Sequence, residues 1–191
     1  MQTNIFIGNL LRLTAAEPAD IPIVSGWTAD STFLRRLQLS HVVPLNHRDT
    51  EASYLGGGSG ATHIHLRLRT RSDHRLVGYV VLYDIYWNLQ SANMGIAIGD
   101  ATDHGKGYGR DGLELLMRYA FNELNLYRLG LTVLESNTPA RALYTRCGFV
   151  HEGTLRGSDY RDGVRGNDIQ MSILAPEYRE RIVRDPYFVT A

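Results

Sequence analysis

Three glycines alternate in His104-Gly105-Lys106-Gly107-Tyr108-Gly109-Arg110, and the run lies between a strand pattern and the strongest helix pattern of the chain. A strand that turns through such a run straight into a helix leaves backbone N–H groups uncovered, because glycine has no side chain to shield them. Those amides and the positive end of the helix can converge on phosphate oxygens. Lys106 and Arg110 would add positive charge. The alternative is a plain turn of the chain. The run is not a Walker loop, since no Lys-Ser or Lys-Thr pair closes it, and its glycine spacing is not that of a dinucleotide fingerprint.

The flanking segments supply the rest of a mixed α/β fold. Ser91–Gly99 puts Met94, Ile96 and Ile98 on one face and the small residues Gly95, Ala97 and Gly99 on the other, a row that permits close approach by another group. Gly109–Asn125 places Leu113, Leu116, Met117, Ala120, Phe121 and Leu124 at helical spacing. Thr62–Arg69 and Leu76–Tyr83 read as two earlier strands, and short linkers imply an antiparallel meander with Ser91–Gly99. Arg128–Leu134 reads as a strand. Asn137-Thr138-Pro139 opens a helix whose apolar stripe is Ala140, Leu143, Tyr144 and Cys147, and Gly148 ends it. Phe149–Tyr160 and Gly166–Leu174 form a hairpin about Asp162-Gly163. Before the meander come a strand at Leu10–Leu13, a helix over Ile21–Thr28 capped by Asp20, a helix from Asp30-Ser31, a short helix at Asn46–Leu55, and a GGGSG turn at 56–60. The charged tail from Pro176 reads as a short helix or a partner-facing arm.

Composition limits the function classes. At 43 % hydrophobic and 21 % charged residues, the 191-residue chain can bury a core and is not a disordered protein. A formal net charge of +0 leaves no overall basic field for nucleic acid or an anionic membrane. The single cysteine, Cys147, rules out an intramolecular disulfide, and no metal site is expected. No apolar stretch reaches the roughly 20 residues that span a bilayer, and no signal peptide is evident, so the expectation is a cytoplasmic protein.

The run from His104 to Arg110 resembles the acyl-coenzyme A loop of the GNAT superfamily of N-acetyltransferases. The family pattern Gln/Arg-x-x-Gly-x-Gly/Ala falls on His104, Gly107 and Gly109, with His104 departing from the usual first residue. ESNTPARALYTRCGF at 135–149 is similar to the superfamily's Glu-x-Asn-x-x-Ala-x-x-x-Tyr-x-x-x-Gly-Phe segment, and residues 152–174 to its closing hairpin. Within the superfamily these segments look most like the branch containing ribosomal-protein alanine and related N-terminal acetyltransferases. The resemblance implies one domain over 1–175 with a central, largely antiparallel, splayed sheet flanked by helices, and a tail at 176–191 packed on it or facing a partner. It implies acetyl-coenzyme A as acetyl donor, and leaves a homodimer open. By the same resemblance, backbone groups around Ile96, Ala97 and Ile98 would align the pantetheine arm. Amides of Gly105, Lys106, Gly107, Tyr108, Gly109 and Arg110 would hold the pyrophosphate, and Asn137 would contact the pantetheine region.

The implied reaction is direct transfer of acetyl to a primary amine, which requires no covalent enzyme intermediate. Tyr144 matches the family tyrosine that protonates the leaving thiolate; it also suits core packing. Many relatives carry a glutamate at the position of Asn93, and Asn93 has no carboxylate to take a proton. Asp84 is the substitute candidate, and a turn carboxylate is its alternative. Trp27, Tyr86 and Trp87 are candidates for an acceptor pocket through cation–π contacts, with core packing equally open for Trp27. A protein N-terminal amine leads the acceptor readings. Small-molecule amines such as a polyamine or an aminoglycoside stand second, and a non-catalytic acyl-coenzyme A-binding module third. Cys147, on an apolar stripe, reads as packing rather than nucleophile.

Overall fold

The computed structural model describes residues 4–37, 42–54 and 62–184. The glycine turn expected at 56–60 and the aromatic tail at 186–188 lie outside them. Seven strands form one sheet in the order β1-β2-β3-β4-β5-β7-β6. They are β1 (Leu11–Thr14), β2 (His63–Thr70), β3 (Leu76–Tyr86), β4 (Ser91–Ile98), β5 (Arg128–Leu134), β6 (Val150–Arg161) and β7 (Val164–Leu174). Every neighbouring pair is antiparallel except β4 and β5. The β6–β7 hairpin turns at Asp162 (φ 53°) and Gly163 (φ 81°), the left-handed pair that a two-residue hairpin needs.

Period-two alternation sorts the strands into two faces. Leu68, Val80, Leu82, Met94, Leu129, Leu131, Val133, Ile169, Met171 and Ile173 form one continuous core with α4 (Tyr108–Arg118) and α5 (Thr138–Arg146). α4 buries Leu113, Leu115, Leu116 and Met117 against that face. The helix expected to run unbroken to Asn125 passes instead into a π-turn at Tyr119–Glu123 and stops at Asn125, which is left-handed (φ 56°). α6 (Ala175–Arg184) packs on the same side, with the Tyr178 ring 4.8 Å from Phe121 and Arg181 ion-paired to Glu114.

The opposite face lies under α1 (Ile21–Thr28), α2 (Ser31–Leu37) and α3 (His47–Tyr54). A side chain at Gly99 would overlap the Trp27 ring, so the small-residue edge of β4 is where α1 rests. Asp20 does not cap α1 as expected. Its carboxylate accepts from the Glu17 amide at 2.9 Å and pairs with Arg69 at 2.7 Å. Asp30 does cap, accepting from the Thr32 amide at 2.8 Å.

Candidate active site

β4 and β5 pair over only three positions: Ser91 with Arg128, Ala92 with Leu129, and Asn93 with Gly130. Beyond them β4 pairs only with β3, and β5 only with β7. The sheet therefore splits down its middle past Asn93. Ile96, Ala97 and Ile98 lie on the β4 side of the split, with a backbone edge turned toward no strand. An unpaired strand edge offers N–H and C=O groups to any extended ligand that enters. Gly130 belongs at the vertex, because a Cβ there would stand 2.9 Å from Asn93 Oδ1.

The glycine loop opens above the split. Gly105 (φ 79°) and Gly107 (φ 86°) are left-handed, and Gly107 is the residue before α4 begins at Tyr108. Only glycine adopts such angles without strain, and they point successive amides outward. A Cβ on Gly105 would meet nothing, so the mouth of this cradle is open to a ligand. A phosphate group fits these residues, which supply amides and a helix N-terminus. The loop's cations are already engaged. Lys106 Nζ lies 2.9 Å from Asp103, which also takes a two-pronged contact from Arg75 at 2.6 and 2.9 Å. Hydrogen bonding from Arg75, ahead of that from Lys106, pulls the buried Asp103 carboxyl down to about 2. Arg110 lies near enough to Glu114 to favour its ionised form, while burial raises the Glu114 pKa overall. His104 turns back, its Nε2 3.3 Å from the Ile98 carbonyl. The expected cation Lys106 is thus already ion-paired in this structure. Tyr108 packs against the core, and Gly109 sits close under Leu143.

Tyr144 reaches the split from α5. It is 8 % exposed, its ring 5.8 Å from Phe149. Burial, then the neighbouring Tyr83 and Cys147, push its phenol up to about 12. Cys147 is fully buried and its thiol is likewise pushed up to about 12, chiefly by desolvation. A thiol in that state is not a nucleophile near neutrality. Asn137 precedes α5. Its Oδ1 accepts from the Ala140 amide at 3.3 Å and its Nδ2 donates to the Arg36 carbonyl at 3.3 Å, which ties α5 to α2.

Asp84 stands at an irregularity in β3, where the register to β4 shifts between Tyr83 and Tyr86. Its φ of 50° is uncommon for a residue other than glycine. The distortion brings its carboxylate to 3.2 Å from the Asn93 side-chain amide. Asp84, the substitute candidate for a base, thus stands beside Asn93. Tyr86 and Trp87 are 54 % and 47 % exposed at the start of the β3–β4 turn, and Trp27 is half-buried against Gly99 with Phe33 6.3 Å away. Trp27 and the Tyr86–Trp87 pair belong to different ends of the sheet and do not form one pocket wall.

Sequence reasoning missed a polar band on the helix-covered face. The register sets His63 beside Tyr83 and Tyr83 beside Asn93, His65 beside Val81 and Val81 beside Gly95, and Arg67 beside Tyr79 and Tyr79 beside Ala97. Arg67 is fully buried, 5.9 Å from the Tyr79 ring centroid. Burial, then Arg67 and His63, lower the His65 pKa. The signal was present: His63, His65 and Arg67 alternate with Ile64, Leu66 and Leu68 in a strand with neighbours on both sides. Among the described residues no group of three or more His, Cys, Asp or Glu side chains is arranged to hold a metal, and no helix is long and apolar enough to cross a membrane.

Residues 11–150 match the Acetyltransferase (GNAT) domain family. The chain is 33 % identical over 114 residues to a probable N-acetyltransferase of Bacillus subtilis, covering 59 % of this chain and 62 % of that protein. It thus spans less than two thirds of that relative's length. It is 34 % identical over 125 residues to the spermidine N(1)-acetyltransferase of Vibrio cholerae, covering 62 % of this chain and 71 % of that one. The crystal structure of the Vibrio cholerae spermidine N-acetyltransferase in complex with CoA and spermine superimposes with a TM-score of 0.80 at 25 % identity, over 88 % of this chain and 98 % of that chain. These similarities correct one expectation: the branch resembled is that of the spermidine N-acetyltransferases, not that of ribosomal-protein alanine acetyltransferases. The signature at 135–149 is common to the superfamily, and it says little about the acceptor. The chain belongs to the acetyltransferase (GNAT) domain family, and its fold is that of an acetyl-coenzyme A-dependent acyltransferase.

Proposed function

We propose that the protein transfers an acetyl group from acetyl-coenzyme A to a primary amine of a polyamine such as spermidine. The observation that carries this reading is the near full-length structural similarity to a spermidine N-acetyltransferase solved with CoA and spermine. The split sheet, the amide-lined loop and a polar face beneath α1–α2 support it. Acetyl-coenzyme A supplies an activated thioester when bound. The backbone edge of Ile96, Ala97 and Ile98 would hold its pantetheine arm, the amides from Gly105 to Arg110 its pyrophosphate, and Asn137 the region between.

The residues at the vertex divide the proton work. An amine near pKa 10 is an ammonium at neutral pH and must lose a proton before it attacks. Asp84, steadied by Asn93, receives that proton directly or through water. As the new N–C bond forms and the C–S bond breaks, charge moves first to the carbonyl oxygen, where a backbone N–H of β4 can stabilise it. The departing sulfur needs a donor, and Tyr144 stays protonated throughout the physiological range. Passing its proton to a free thiolate near pKa 8.5 is uphill from about 12. The Tyr144 proton therefore moves as the C–S bond breaks rather than after a free thiolate has formed.

The test is release of free CoA in the presence of acetyl-coenzyme A and a panel of amines: spermidine, spermine, n-butylamine and a peptide with an alanine N-terminus. The polyamines are expected to give the highest kcat/KM. Turnover confined to the peptide would overturn the proposal.

A further inference from the structure

Asp168 is an anomaly in this sheet. It is 7 % exposed, and its Oδ1 atom is buried with no hydrogen-bond partner. A carboxylate taken out of water without a partner is costly, and folded proteins seldom keep one unless something binds it. Its neighbours on β7, Ile169, Met171 and Ile173, point into the core beneath α4. Ile169 directly follows Asp168, so Asp168 points to the other face, where the register sets it between Leu134 of β5 and Leu155 of β6.

α2 is hydrogen-bonded to the residues that follow β5 and end β6 on that side of the molecule. The Arg36 carbonyl accepts from Asn137, and the Arg35 carbonyl accepts from Arg161 at 2.8 Å. The nearby guanidinium groups have other carboxylate partners. Arg161 pairs with Asp159 at 2.9 Å, and Arg35 pairs with Asp162 at 2.8 Å.

We infer that Asp168 anchors the distal ammonium of the acceptor, the nitrogen that is not acetylated. This rests on the polyamine reading above and deepens it. Leu134 lies four residues along β5 from Gly130, where the strands part, a distance of roughly 13 Å. The terminal nitrogens of extended spermidine are nine bonds apart, roughly 11 Å. A polyamine with one nitrogen at the vertex therefore brings another charge to the region of Asp168. The ammonium supplies the hydrogen bonds that Oδ1 lacks in the free protein, and the charge-assisted pair forms away from bulk water. A monoamine gains nothing from this contact, so Asp168 sets specificity by acceptor length and charge.

The test compares KM for spermidine and for n-butylamine in the wild-type protein, Asp168→Asn and Asp168→Ala. Both variants should raise the spermidine KM by about 10- to 100-fold, the range for loss of a buried charge-assisted hydrogen bond. The n-butylamine KM should stay near the wild-type value. Without ligand, Asp168→Asn should melt at or above the wild-type temperature, since it relieves the charge on a buried oxygen that has no partner. Saturating spermidine should raise Tm more for the wild type than for Asp168→Asn. An unchanged spermidine KM in both variants overturns this assignment and leaves the polyamine reading standing. Equal rises for spermidine and n-butylamine also overturn it, because they mark general support of the fold. A wild-type protein that acetylates n-butylamine or the peptide but no polyamine overturns both readings together.

Discussion

The two faces of the central sheet use the same alternation to opposite ends. The face beneath α4 and α5 is aliphatic from Leu68 across to Ile173. The face beneath α1, α2 and α3 carries His63, His65, Arg67, Tyr83, Asn93 and Asp168 at the alternate positions. Some polar atoms on that second face, His65 Nδ1 and Asp168 Oδ1 among them, are buried without partners. The first face is built for stability. The second carries its polar side chains on the strands themselves, whereas on the first side the unpartnered Glu114 Oε1 belongs to α4. Tyr144, packed on the first face, lies near enough to Tyr83, on the second, for its phenol to feel that neighbour.

Substitutions can break or sharpen that division. The largest effect is expected at the split itself. Tyr144→Phe should lower kcat by roughly 10²- to 10⁴-fold, the span of general acid catalysis, with little change in acetyl-coenzyme A affinity. Isothermal titration beside steady-state kinetics separates the two, and an unaltered kcat would remove Tyr144 from the chemistry. Next comes the aliphatic face. Leu116 is 1 % exposed, and Leu116→Ala should cost about 2–5 kcal/mol of stability in urea unfolding while the relative kcat/KM for different amines stays the same. A shift in amine preference would show that the faces are not separate.

On the polar face the sign should reverse. His65→Leu replaces a half-buried ring whose Nδ1 is buried and unsatisfied, and should leave stability unchanged or raise it by about 1 kcal/mol. A loss of more than about 2 kcal/mol would mean that His65 is a structural residue. The smallest effect is electrostatic. Asp103 titrates at about 2 against an ordinary 3.8, so its contribution is complete above pH 4 and is lost as pH falls through about 2. The Tm difference between wild type and Asp103→Asn should therefore shrink between pH 4 and pH 2, and a difference that is constant with pH would contradict the Arg75–Asp103 pairing.

Legibility from sequence followed the same line. Elements fixed by local chemistry could be read directly. Gly105 and Gly107 take up the unusual angles that a glycine run permits, Asp162-Gly163 makes the hairpin turn, and Asn137 with Pro139 starts α5. The meander and the aliphatic face follow from periodicity alone. The acceptor side resisted, because its residues come together only through register. Asp84 reaches Asn93 through an irregularity that shifts β3 against β4, and a slip of that kind leaves no mark in composition. Asp168 looks like any outward polar residue, and its burial appears only in the folded sheet. The ion pair of Lys106 with Asp103 was not legible, because Asp103 is presented by a short 3₁₀ turn just before the loop. The acceptor branch was not legible for a related reason: the signature at 135–149 and the glycine loop are common to the superfamily and carry little about the acceptor.

A crystal structure of the protein with coenzyme A and spermidine tests the division most directly. The account predicts the pantetheine arm in the split between β4 and β5, one spermidine nitrogen near Asp84 and Tyr144, and the other terminal nitrogen against Asp168. Spermidine lodged on the α4–α6 side, or absent from the helix-covered face, would contradict it.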